Sequence, residues 1–234
     1  MFGWFRKQKP QPATPFPCYE ILGELGHGTT GVVYRARDTR LNRAVALKVL
    51  AHSPDTNPVA RSEQFLRECR VLASITGGPL TGIPLLHEVN EYSGQQYYTR
   101  ELVEGSTLER WAAVGSIDMR AGLSVVAAVA RVVQGVHERG FVHRNMSAAN
   151  VLVGQDGTAW LIGFGRVGYV AGSQPVPAGA TGTPVEVDVR GLQELVRWLY
   201  GAVRQPVPAD MQRVIAPGAV PTAGALGEAL VRAE

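Results

Sequence analysis

The stretch Leu25-Gly26-His27-Gly28-Thr29-Thr30-Gly31-Val32-Val33 constrains the fold more than any other part of the chain. It lies between two runs rich in β-branched and aromatic residues, Tyr19–Leu25 and Val32–Ala36, so its glycines are predicted to turn one strand into the next. Glycine loops of the dinucleotide-binding and P-loop kinds instead lead a strand into a helix, whose N-terminus receives the phosphate. A glycine hairpin between strands can lie over phosphates, because no Cβ keeps its N–H groups at a distance. The next run, Ala44–Leu50, contains Val45-Ala46-Leu47-Lys48. A lysine alternating with apolar residues on a strand faces a space that needs an anion or a carboxylate. Glu68, on the helical segment that follows, is the candidate partner.

Composition singles out the same lysine. Of 23 basic side chains only Lys7, Lys9 and Lys48 are lysine, and the rest are arginine. A solvated cation tolerates that exchange, whereas a compact ammonium held between phosphate and carboxylate does not. Arg6, Lys7 and Lys9 account for the whole net charge of +3, since residues 1–17 contain no acid. The body therefore has no excess charge for a nucleic-acid face, and no nucleic-acid partner is expected. Apolar residues at 45% and charged residues at 18% indicate a globular chain. No apolar run reaches the roughly 18 residues of a membrane span, the longest being broken at Ser124, Arg131 and Gln134. Cys18 and Cys69 suggest neither a disulfide framework nor a metal site, and the start has no apolar secretory core, so a cytoplasmic protein is expected. Residues 1–17, with four prolines, read as a flexible basic tail; contact of Phe2, Trp4 and Phe5 with an anionic membrane is the less favoured alternative.

From Tyr19 to Leu102 the signal is mostly β, with one helix over 59–75 and a strand pair, Glu88–Glu91 and Gln96–Leu102, turned at Ser93-Gly94. From Gly105 it becomes helical. A long helix is predicted to start at Ser116 as N-cap and run to Glu138, with Leu123, Val126, Val129, Val133 and Val136 on its apolar face. Short strands Val151–Val153 and Ala159–Ile162 flank a turn at Gln155-Asp156-Gly157, and a glycine- and proline-rich loop follows over 164–184. Helical patterns return at Asp188–Tyr200, Pro208–Ile215 and Thr222–Ala233. The domains expected are the tail 1–17, a β-rich unit over 18–104 and a helical unit over 105–234.

The glycine hairpin, Val-Ala-Leu-Lys and the helical Glu68 resemble the small lobe of a serine/threonine protein kinase, and Tyr19–Leu50 is most similar to the bacterial eukaryotic-like kinases. The resemblance covers most of 19–202. It implies an α+β, bilobal protein-kinase-like fold with a β-rich N-lobe, a helical C-lobe and a shortened activation segment. It also implies a nucleotide site at Leu25, Gly26, Gly28, Gly31, Val33, Ala46, Lys48, Glu68, Glu101, Val103 and Leu152. Val33, Ala46 and Leu152 resemble the residues that sandwich adenine. Leu72, His143 and Phe164 resemble an apolar column joining the lobes, and Asp188 resembles the buried anchor of the catalytic loop.

The catalytic motifs depart from the family. His143-Arg144-Asn145-Met146-Ser147-Ala148-Ala149-Asn150 stands where the family has H-R-D-L-K-x-x-N. Asn145 replaces the aspartate that accepts the hydroxyl proton, and Ser147 replaces the lysine. Gly163-Phe164-Gly165 stands for D-F-G, so Gly163 lacks the carboxylate that holds Mg²⁺ and only Asn150 remains at the metal position. After Thr181-Gly182-Thr183-Pro184 only three residues precede Asp188, and the A-P-E element is missing. Arg100 falls where the family carries an apolar gatekeeper. The resemblance thus implies a pseudokinase that acts by binding a protein partner, holds ATP weakly and holds Mg²⁺ weakly or not at all. Two alternatives are a weak or atypical nucleotide transferase using another carboxylate such as Glu186, and a scaffold without a nucleotide site in which Arg100 pairs with Glu68.

Overall fold

In the computed structural model, which describes residues 16–28, 30–51, 57–114, 118–170 and 183–232, the glycine-rich stretch is a strand hairpin. Strand β1 (Tyr19–Gly28) pairs antiparallel with β2 (Gly31–Asp38) and closes at Gly28↔Gly31, so the ladder runs through the glycines and does not stop at Leu25. Strand β3 (Arg43–Leu50) continues the sheet after a turn at Asn42, whose φ of 49° suits an asparagine. Helix α1 (Pro58–Ile75) follows. Asn57 caps it by accepting the Val59 N–H at 2.9 Å, and Pro58 occupies the first turn, where no N–H is needed. Phe65, Cys69, Leu72 and Ile75 are buried at the predicted steps, with Glu68 buried among them.

Strands β4 (Leu86–Tyr92) and β5 (Gln95–Glu101) form the predicted pair, with Ser93 and Gly94 at φ 51° and 76°. The sheet order is β1-β2-β3-β5-β4. One face of it buries Tyr19, Ile21, Val45, Leu47 and Tyr97. Phe16, assigned by sequence to the tail, packs there with its ring 4.7 Å from that of Tyr97. The Arg40 guanidinium ties the sheet together, donating to the Tyr19 hydroxyl at 2.9 Å, Glu88 at 3.0 Å and Asp38 at 3.3 Å.

The chain divides into two compact units at Phe65/Leu66, Leu85/Leu86 and Leu102/Val103, so α1 contributes to both. The second unit contains a small sheet, β6 (Gly105–Thr107) with two later strands, and two helices, α2 (Leu108–Ala113) and α3 (Met119–Glu138). Ser116 lies outside the described residues. The cap of α3 is Asp118, which accepts the Arg120 N–H at 3.2 Å. All five apolar positions predicted for α3 are buried. The helix is also long and apolar enough to cross a membrane, which corrects the expectation that no segment qualifies. Ser124, Arg131 and Gln134 interrupt the apolar run without interrupting the helix, and 61% of its most apolar window is buried, as in a core helix.

Strand β7 (Phe141–Val142) precedes β8 (Val151–Gly154) and β9 (Ala159–Leu161), which pair with each other, and β8 pairs with β6. Strand β10 (Gly168–Tyr169) pairs with β7. Three helices complete the unit: α4 (Pro184–Ala202), α5 (Ala209–Val214) and α6 (Ala223–Arg232). Asp188 does not open α4, which starts four residues earlier. Thr183 caps it, and Glu186 accepts the Thr183 N–H at 2.6 Å in a reciprocal capping box. Gly122 lets α3 and α4 approach closely, since a Cβ there would lie 2.7 Å from Leu199. Thr181 and Gly182 lie outside the described residues.

Candidate functional site

In the first unit Val33, Ala46 and Lys48 share one face of the sheet, and Glu101 pairs with Val45 of the other face. Val33 pairs with Lys48 across β2 and β3, Lys48 pairs with Tyr98 and Ala46 with Arg100 across β3 and β5. Because side chains alternate along a strand, Ala46, Lys48, Tyr98 and Arg100 share the face opposite Val45, Leu47 and Tyr97. Lys48 is 8% exposed, and its ammonium lies 5.5 Å from the Tyr98 ring centroid, a cation–π distance. Tyr98 itself is held against Phe65 of α1, with ring centroids 5.5 Å apart.

The glycines of the hairpin have different roles. A Cβ on Gly31 would lie 2.1 Å from the Val49 carbonyl oxygen, so this glycine is required by strand packing. A Cβ on Gly26 or Gly28 would meet nothing within 4 Å. Leu25 is half-exposed, Glu101 pairs with Val45 at the end of β5, and Val103 follows in the second unit.

In the second unit Asp188 is fully buried and organises the segment after β7. Its carboxylate accepts the backbone N–H groups of His143 at 2.7 Å and Arg144 at 2.6 Å, and it lies 2.9 Å from His137 Nε2. His143 stands edge-on to Phe164, with ring centroids 4.6 Å apart. Its Nε2 lies 2.9 Å from the Ile162 carbonyl oxygen, which can only accept, so Nε2 carries the proton. Nδ1 is then free to accept the Asn145 N–H at 3.3 Å. Burial pushes the His143 pKa down from its ordinary value, more than the Asp188 carboxylate raises it.

Asn145, Asn150 and Gly163 form one cluster. The Asn145 side-chain amide donates to the Gly163 carbonyl at 3.3 Å, and the Asn150 amide donates to the Asn145 carbonyl at 2.8 Å. Gly163 has φ 87°, and a Cβ there would lie 2.3 Å from Asn150 Oδ1. The Asn150 amide therefore fills the space into which a side chain at 163 would grow. Glu68 is buried in α1, and Leu152 pairs with Trp160 across β8 and β9. Glu186, the carboxylate considered as a substitute, is engaged as the α4 cap. Sequence reading missed that role although its signal, Thr183-Pro184-Val185-Glu186, is a capping-box pattern.

The protein kinase domain family matches residues 19–185, which include the hairpin, Lys48 and the whole Asn145–Gly163 cluster. The chain belongs to the protein kinase domain family. Among curated relatives, it is 30% identical over 157 residues to the serine/threonine-protein kinase PknD of Mycobacterium tuberculosis, covering 67% of this chain and 23% of PknD. It is 34% identical over 154 residues to the DNA damage-responsive serine/threonine-protein kinase RqkA of Deinococcus radiodurans, covering 64% of this chain and 22% of RqkA. The chain thus spans less than a quarter of the length of these relatives. Its fold is that of the Mycobacterium tuberculosis PknI kinase domain, at a TM-score of 0.69 and 24% identity over 94% of this chain and 97% of that one. The β-rich N-terminal part and the helical C-terminal part are those of a bacterial Ser/Thr kinase domain.

Proposed function

We propose that this kinase domain is a pseudokinase, which binds nucleotide without phosphoryl transfer and acts through a protein partner. The observation that carries this reading is the cluster at Asn145, Asn150 and Gly163. Kinases of this family use ATP with Mg²⁺, and the metal neutralises charge on the phosphates when bound. A hard dication needs carboxylate or similar oxygen donors. Here the three positions supply two neutral amides and a glycine and no carboxylate; each amide donates its N–H to a backbone carbonyl, which leaves only its uncharged Oδ1 as a metal donor. No cluster of three metal-ligating side chains occurs among the described residues. The donor set does not fit Mg²⁺, and no transfer step follows from it. An asparagine at 145 also cannot take up the hydroxyl proton as an aspartate would.

The nucleotide half of the reading rests on the first unit. Gly26 and Gly28 have open space where a side chain would stand, and protein packing does not demand glycine at either. Close approach of a ligand to the backbone supplies the reason. Lys48 is nine-tenths buried on the same sheet, with Ala46 beside it. One observation disfavours a rival reading. Glu186 is occupied as a helix cap, which removes the substitute carboxylate from the transferase reading.

Calorimetric titration of the full chain with ATP tests this proposal. Saturable binding with a Kd that changes by less than about twofold between EDTA and Mg²⁺ is expected, a free-energy difference under about 0.5 kcal/mol. Binding that appears only with Mg²⁺, or no binding in either buffer, contradicts it.

A further inference from the structure

An apolar pocket of about 220 Å³ opens within the second unit, between α2, α3 and the turn that joins β8 to β9. Trp111 of α2, Ser124, Val125 and Ala128 of α3, Val153 of β8 and Gly157 of the turn line it, and no lining side chain is charged. Val125 and Val153 are buried at its floor, whereas Ser124 and Gly157 stand exposed at its mouth. An apolar cavity of about 150 Å³ accepts a benzene ring, so this pocket has room for a phenylalanine side chain. Cations border the mouth. Arg120, Ser124, Ala128 and Arg131 follow at steps of four and three, so they form one line along α3, and both arginines on it are exposed. Arg110 stands exposed next to Trp111 on α2. The acids of the same elements are engaged locally. Glu109 stands in the first turn of α2, where the helix N-terminus attracts a carboxylate. Asp118 caps α3 by accepting the Arg120 N–H, and Asp156 accepts the Thr158 N–H at 2.9 Å and its hydroxyl at 2.7 Å.

We propose that this pocket docks an acidic segment of a partner protein, which seats one phenylalanine against Trp111 and lays carboxylates on Arg120 and Arg131. The inference rests on the reading above that the domain acts through a protein partner, and it names the surface and the chemistry of that partner. The ring supplies the anchor, because it leaves water and meets an indole face. The guanidiniums select the sign, since they attract carboxylates and repel ammonium groups. Their spacing sets the length of the segment. Arg120 and Arg131 are eleven positions apart, about 16 Å along a helix that rises 1.5 Å per residue. An extended segment covers that distance in about five residues, at roughly 3.3 Å each. The pattern that fits is a phenylalanine with acids two or three residues away on either side.

The test titrates the full chain with a synthetic heptapeptide that has phenylalanine at its centre, a serine on each side of it and two glutamates at each end. One control carries lysine for glutamate, and another carries alanine for phenylalanine. Binding is read from the Trp111 indole N–H resonance, which Trp111→Phe assigns by removing it. The acidic peptide is expected to move that resonance saturably and to bind at least about tenfold more tightly than either control at low salt. Ala128→Leu, which fills the pocket, is expected to weaken it about tenfold or more. Ser124→Leu, at an exposed lining position, serves if Ala128→Leu does not fold. Exchanging both exposed arginines, Arg120→Glu with Arg131→Glu, is expected to reverse the preference towards the lysine peptide. An unmoved Trp111 resonance overturns the proposal, as does either control binding as tightly as the acidic peptide. So does a folded Ala128→Leu or Ser124→Leu that binds as wild type, or an acidic preference that survives the arginine exchange. No nucleotide is present in this titration, so its failure leaves the pseudokinase reading to be judged by ATP binding and phosphate transfer.

Discussion

A Cβ separates Gly163 from every other residue it could be. Its φ of 87° is strained for a side-chain-bearing residue, and the Asn150 amide occupies the place of a Cβ. Gly163→Asp, which restores the family's carboxylate on paper, is expected to lower stability by about 1–3 kcal/mol. In denaturant melts, Asn150→Ala in that background should recover part of the loss, because the two side chains compete for one volume. Unchanged stability of Gly163→Asp would contradict the close contact. The absence of the carboxylate was legible in the sequence; its replacement by interlocked amides was not, since that depends on distances of a few tenths of an ångström. His143 makes a second prediction. Burial lowers its pKa below the ordinary value of 6.5, so the unfolded chain binds its proton more readily than the folded one. Its stabilisation is therefore complete above about pH 6.5 and is lost as pH falls below that value. The melting temperature should drop between pH 7 and 5 by more in wild type than in His143→Phe. His87, whose pKa burial also lowers, contributes equally to both. Equal drops would mean that the fold tolerates a charged His143.

Among the elements, those with a long period were legible and those with a short one were not. The apolar steps of α1 and α3 repeat over several turns, and the alternation of β3 fixes which side chains share a face with Lys48. Strands β7 and β10 have two residues each and exist through their pairing with one another, which leaves no pattern to read. The start of α4 was legible in principle. Thr183 and Glu186 have capping-box spacing, but the resemblance drew attention to Asp188, whose burial serves His143 and Arg144 instead. Thr183→Ala is expected to cost about 1 kcal/mol of stability. In a double-mutant cycle with Glu186→Ala the two losses should be less than additive, because each residue satisfies the other's backbone. Strict additivity, read from denaturant midpoints, would show that the box is not a unit.

At the scale of the molecule, each unit has its own packing, and the proposed loss of chemistry leaves that packing in place. In the first unit, a hydrophobic cluster from Phe16 to Tyr97 backs the sheet that carries Lys48. In the second, α3 supplies a buried apolar face and Asp188 holds the backbone of His143 and Arg144 at the start of the segment that runs to Asn150. The fold was legible because its signals are glycine spacing, strand alternation and helix period, none of which depends on catalysis. The function was legible only as a set of missing carboxylates, at Asn145 and Gly163, and the structure adds what fills their places. The proposal that this kinase domain does not transfer phosphate has a direct test. The direct measurement is phosphate transfer from labelled ATP by the purified chain, to itself and to a general protein substrate, with Mg²⁺ or Mn²⁺ and with Lys48→Ala as background. Incorporation indistinguishable from that of Lys48→Ala is expected under either metal. Metal-dependent incorporation well above background, abolished by Lys48→Ala, would contradict it.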